Sequence, residues 1–89
     1  MSSKWIVYII EAENGYYYTG ITTDLEHRFK AHLSGNGAKF FRTTKPKKIV
    51  YSEECSSKSI ASKREYEIKK MSRSKKIDLI NNCAQRSFK

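Results

Sequence analysis

Apolar residues arrive along this chain in short runs separated by turn signals, and the period of the runs changes as the chain proceeds. Trp5 to Ile10 is an unbroken series of aromatic and β-branched side chains. It is too short for a helix of ordinary length and suits a strand buried on both faces, which predicts a central place in its sheet. Glu13, Asn14 and Gly15 supply a turn, and Tyr16 to Ile21 reads as the returning strand. Two hairpins fit this segment. A two-residue turn at Asn14-Gly15 pairs Glu13 with Tyr16 and leaves Tyr8 and Tyr18 on opposite faces. A three-residue loop with Gly15 in the left-handed region pairs Ala12 with Tyr16, sets Ile10 opposite Tyr18, and turns Tyr8 and Tyr18 the same way. Only the second brings two phenols together, and it is the geometry expected here.

The period then becomes helical. Thr23-Asp24-Leu25-Glu26 fits a capping box, in which the threonine hydroxyl and the glutamate each satisfy an unpaired amide, so a helix is predicted to start near Asp24. Leu25, Phe29 and Leu33 form its apolar stripe, with Arg28 and His32 four residues apart along the edge. Gly35 and Gly37, around Asn36, end it. Ala38 to Arg42 is basic and aromatic and is expected to make one helical turn before Lys45-Pro46 stops it. Phe40 and Phe41 either close the core or stack with a nucleobase beside Lys39 and Arg42. Lys47 to Tyr51 is a third strand by its β-branched content, expected to pair with the hairpin and to end at Glu53 and Glu54.

Ser56 and Ser57 can cap a long helix running to about Met71, with Ile60, Ala61, Ile68 and Met71 on one face. Glu65 lies on one border of that face and Glu67 on the other. Periodicity does not choose between them, and each also serves as a solvated partner for Lys63, Arg64, Lys69 or Lys70. Arg73, Lys75 and Lys76 are expected to form a basic turn, followed by a short terminal helix from Ile77 to Asn82 and a fraying tail over 83–89.

Length and charge narrow the class of function. Eighty-nine residues support one small domain with one modest core. The net charge of +9 is unevenly placed: residues 1–37 carry three basic and four acidic groups, whereas 38–89 carry fifteen and five. Such an asymmetric basic surface calls for an anionic polymer. Cys55 and Cys83 lack metal-ligand or redox spacing and read as small buried apolar residues. With no secretory signal and no run long enough to span a membrane, a cytoplasmic protein with reduced thiols is expected.

Phenols on a hairpin, an arginine and a histidine on the next helix, and a later helical carboxylate suit phosphodiester hydrolysis. An arginine at a scissile phosphate neutralises charge that grows in the transition state, an effect worth roughly 3 to 4 kcal/mol. One carboxylate suffices for a magnesium ion whose other positions are filled by water and phosphate oxygens. A phenol with a pKa of about 10 is a weak participant at neutral pH unless its neighbours help it ionise.

In this order and spacing, these residues resemble the GIY-YIG endonuclease superfamily, and most of all its small stand-alone bacterial proteins. Ile6-Val7-Tyr8 stands where the family has Gly-Ile-Tyr, and Tyr18-Thr19-Gly20 where it has Tyr-Ile-Gly. Arg28 lies ten residues past Tyr18 and His32 four further, matching the family's spacing for its helix arginine and histidine or tyrosine. The run from Gly35 to Arg42 and the segment Arg64-Glu65-x-x-Ile68-Lys69 are similar to the next segments of that branch. The pattern aligns over about Trp5 to Ile80.

The resemblance implies an α+β fold, a three-stranded antiparallel sheet flanked by helices, in one catalytic domain over residues 1–82. It implies a DNA nuclease using one Mg2+ or Mn2+ ion, structure-specific in repair or recombination. Tyr8 would then be the general base, Tyr18 would position phosphate or water, and Gly20 would let the strand end pack closely. Arg28 would stabilise the transition state, His32 would assist proton transfer or contact phosphate, and Glu65 rather than Glu67 would be the sole protein metal ligand. Lys39, Arg42, Lys69 and Arg73 are the basic side chains expected to meet the nucleic acid. Three positions depart from the pattern: Ile6 replaces the first glycine, Thr19 replaces an isoleucine, and the asparagine that follows the glutamate has only Asn81 as its nearest counterpart. Two alternatives stand beside this reading: a basic nucleic-acid-binding module with weak or no turnover, and an interaction module for an acidic protein.

Overall fold

Side-chain alternation along one strand divides the interior into two halves. The computed structural model describes residues 4–35 and 39–86, with side chains through Asn82. Asn36, Gly37, Ala38, the side chain of Cys83 and residues 87–89, all named in the sequence reading, lie outside the described residues. Strand β1, Trp5–Ala12, is the middle strand of an antiparallel sheet ordered β2-β1-β3, where β2 is Tyr17–Thr22 and β3 is Pro46–Cys55. Val7 and Ile9 point to one face, packed with Tyr51, Cys55, Ala61 and Ile68. Tyr8, Ile10 and Ala12 point to the other, packed with Phe41 and flanked by Tyr18, Leu25, Phe29 and Phe40. Helices α2, Lys58–Lys69, and α3, Arg73–Arg86, cover the first face, and α1, Leu25–Leu33, with a 3-10 turn at Lys39–Arg42, covers the second. This is the expected α+β architecture, and β1 is central because its residues from Val7 to Ile10 are apolar enough to be buried on both sides.

The hairpin takes the three-residue form. The Ala12 amide donates to the Tyr16 carbonyl at 2.9 Å, the Gly15 amide donates to the Ala12 carbonyl at 2.9 Å, and Gly15 adopts φ +89°. The register then sets Ile10 opposite Tyr18 and Tyr8 opposite Gly20, so both phenols rise from the same face.

Element ends shift from the sequence reading in several places, most by one or two residues, and three of the differences have a visible local reason. The cap of α1 is Asp24 and not Thr23: the Asp24 carboxylate accepts from the His27 amide at 3.1 Å, while the Thr22 hydroxyl accepts from the Asp24 amide at 3.1 Å. Strand β3 does not end at Glu53 and Glu54 but continues to Cys55. Arg64 on α2 donates to Glu53 at 3.0 Å, the Tyr51 hydroxyl donates to the same carboxylate, and Lys4 pairs with Glu54 at 3.4 Å. The basic turn at Arg73, Lys75 and Lys76 is already helical, because the Ser72 hydroxyl accepts from the Lys75 amide at 3.3 Å and caps α3. That helix also runs further than Asn82, to Arg86.

Thr19 carries a consequence for stability. It is 3 % exposed on the face covered by α2, and its hydroxyl has no hydrogen-bond partner among the described residues. A buried unpaired hydroxyl costs about 1 to 3 kcal/mol, and valine keeps the shape without the oxygen. Thr19→Val is therefore expected to raise the unfolding free energy by about 1 kcal/mol, measured as a higher urea midpoint at unchanged slope.

Candidate active site

Gly20 makes the room in which the site is built. A Cβ at this position would stand 2.6 Å from the Tyr8 hydroxyl and 2.8 Å from its ring carbon Cζ. Its absence lets the Tyr8 phenol lie across β2 while the ring stays 1 % exposed. The Gly20 backbone is not left-handed, so this glycine is required by space and not by its dihedral angles.

The Tyr8 hydroxyl ends 3.0 Å from Nε2 of His32, in a buried hydrogen bond whose direction is set by the imidazole tautomer. His32 is 2 % exposed in the last turn of α1, with Phe41 covering its ring at 4.6 Å and Tyr18 meeting it edge-on at 5.3 Å. Tyr18 also lies 6.2 Å from Tyr8 and packs on Phe40 and Phe41. Sequence reasoning left open whether these phenylalanines close the core. Phe41 does and covers the histidine ring, while Phe40 is half-buried and packs against that cluster from its edge. No periodicity in the short basic run distinguishes Phe41 from Phe40; only the tertiary contact does.

Electrostatics tie two more side chains to this pair. Burial raises the Tyr8 pKa well above the ordinary phenol value; Tyr18 and Glu65 reinforce the rise, and Arg28 opposes it. Burial also lowers the His32 pKa below 6.5, and the Arg28 charge adds to that effect. At neutral pH the phenol is protonated and the imidazole neutral. The second ring nitrogen, Nδ1, is buried without a hydrogen-bond partner among the described residues. Arg28 itself is exposed on α1, one turn before His32.

The two carboxylates of α2 are separated by their surroundings. Glu65 has a side chain 23 % exposed, pairs with Lys69 at 3.0 Å, and acts on Tyr8; Glu67 is 63 % exposed and pairs with Arg64 at 3.0 Å. Lys69, expected to meet nucleic acid, is thus engaged by Glu65. Arg73 stacks over the Tyr17 ring at 5.0 Å, Lys39 and Arg42 are exposed at the ends of the 3-10 turn, and Asn81 is exposed on α3, a different helix from Glu65. Among the described residues no group of three or more His, Cys, Asp or Glu side chains could together hold a metal ion, and no helix is long and apolar enough to cross a membrane. Cys55 is a buried free thiol.

Comparison with known proteins gives the family of the chain. The family model of the GIY-YIG catalytic domain matches residues 4–78. A UPF0213 protein of Staphylococcus haemolyticus is 46% identical over 78 residues, covering 88% of this chain and 95% of that protein. A UPF0213 protein of Pseudomonas aeruginosa is 45% identical over 76 residues, covering 85% of this chain and 73% of its own length. The solution NMR structure of a UPF0213 protein from Bacillus halodurans superposes with a TM-score of 0.57 at 44% identity, over 88% of this chain and 83% of that one. With its hairpin phenols, its helix arginine and histidine and the match along most of its length, the chain belongs to the GIY-YIG family.

Proposed function

We propose that this protein is a divalent-metal-dependent nuclease that hydrolyses phosphodiester bonds in DNA, with branched or nicked intermediates of repair or recombination as its substrates. The observation that carries this reading is the 3.0 Å contact between Tyr8 and His32, set beside Tyr18 and within the fields of Arg28 and Glu65. A phenol with a raised pKa is a strong base once ionised but is rarely ionised at rest. His32 resolves the conflict. As a neutral imidazole it accepts the Tyr8 proton at Nε2 while the phenolic oxygen takes one from the attacking water. Tyr18 orients the phosphate or the water, and Arg28 pairs with the charge that accumulates on the phosphate oxygens.

Glu65 is the residue that would hold the metal in this scheme, and a carboxylate is a hard oxygen donor suited to such a cation. Magnesium sites commonly use one or two carboxylates and leave the other positions to water and substrate oxygens, so a lone carboxylate beside a phosphate site would be sufficient. When bound, the ion would supply charge neutralisation at the scissile phosphate. Lys69 occupies Glu65 with an ion pair at 3.0 Å and must release it. That pair is the one observation that favours the alternative, a nucleic-acid-binding module without turnover.

Incubation with duplex, nicked, branched and single-stranded DNA in Mg2+ or Mn2+ separates the two. Cleavage is expected, with complete loss on chelation, and its rate should rise with pH through the lowered His32 pKa and then level, because only neutral imidazole accepts the phenol proton. Binding without cleavage in both metals would establish the alternative.

A further inference from the structure

Outside the Tyr8 cluster, a concavity of about 310 Å³ opens at the free edge of β2, lined by Tyr16, Tyr17, Phe40, Arg73 and Lys76. We infer that it is a nucleobase-binding subsite: one unpaired base stacks on Tyr16 while Arg73 and Lys76 hold the adjoining phosphates. The inference rests on the nuclease reading and names what that site requires of its substrate, an unstacked nucleotide beside the scissile bond.

Three observations point to this occupant. Tyr16 is 62 % exposed, more than a tyrosine needs for hairpin packing, and it forms part of the wall of the hollow, where its ring is accessible to a ligand. Its volume lies at the small end of sizes that bind compact ligands, room for one planar base. The lining pairs aromatic faces with cations, the combination by which proteins hold single strands, since every base has a π-face and every nucleotide a phosphate. Arg73 is already set at 5.0 Å over Tyr17, which fixes its guanidinium at the rim. Continuity with the candidate active site supplies the register: Phe40 lines the hollow and packs at 5.5 Å on Tyr18, so a strand whose base enters it passes its next phosphate toward Tyr18.

Binding is measured by fluorescence anisotropy in the full chain without divalent metal, so that no turnover is needed. The probes are a short labelled single-stranded DNA and the same sugar-phosphate strand lacking every base. Tyr16→Ala is expected to weaken binding of the intact strand about tenfold and to leave the base-free strand unchanged, while Tyr16→Phe, which keeps the ring, binds as the wild type does. Tyr16 is exposed, so the fold is retained. Equal loss on both strands would mean that the hollow reads only phosphate, and no loss on either would mean that it binds no base; both results overturn the inference while leaving the nuclease reading intact. Failure of the wild type to bind the intact strand would likewise overturn the inference, and the nuclease reading would still be judged by cleavage in Mg2+ or Mn2+.

Discussion

Arg28→Ala is expected to slow phosphodiester cleavage by roughly 10²- to 10³-fold, the effect of removing one preorganised donor from a charged transition state, and to leave the melting temperature unchanged. The two halves of this result have separate causes. Arg28 is exposed and makes no packing contribution to either core cluster, so its truncation belongs with surface substitutions that shift stability by about 0.5 kcal/mol or less. Its charge nevertheless reaches inward. It favours the ionised Tyr8 and opposes protonation of His32, which are the two states that the proposed proton transfer needs. Removing it therefore weakens the transition state both at the phosphate and at the base. Arg28→Lys restores a charge but not the planar fork that grips two phosphate oxygens, and an intermediate rate is expected. Single-turnover rates with saturating DNA, read beside thermal melts, make the comparison. An unchanged rate in Arg28→Ala would remove this residue from the site.

The route from sequence to this geometry is legible where the interactions are local and opaque where they are not. Gly15 and the run from Trp5 to Ile10 are enough to place β1 at the centre and to present two hairpins, and the choice between them follows from the chemistry each allows. The same local reasoning mistakes the end of β3. Two adjacent glutamates ordinarily stop a strand, but Arg64, eleven residues away on another element, neutralises Glu53 inside it. The cap of α1 moves by one residue because Thr22 and Asp24 bond each other in a short turn that competes with the Thr23 box. Glu65 and Glu67 look alike on a helical projection, and only the fold shows which of them stands near the phenol. The shielding of His32 by Phe41 is likewise a contact between segments that no single period encodes.

Tyr8→Phe isolates the hydroxyl on which the proposed chemistry turns. Cleavage is expected to fall by about 10² to 10⁴, the usual contribution of a positioned acid or base. Stability is expected to fall as well, by about 1 to 3 kcal/mol, because Nε2 of His32 then joins Nδ1 as a buried nitrogen without a partner. The ring volume is preserved, so cavity formation adds little. Gly20→Ala tests the position of the same hydroxyl without deleting it: the new methyl group occupies the space at 2.6 Å and must push the phenol off His32. If proton transfer through the Tyr8 to His32 bond limits the reaction, both variants lose activity, and the acid limb of the rate profile that reports His32 flattens in each. A Tyr8→Phe variant that cleaves at the wild-type rate would show that the bond serves only to pair a buried imidazole, and the base would have to be sought elsewhere around Glu65.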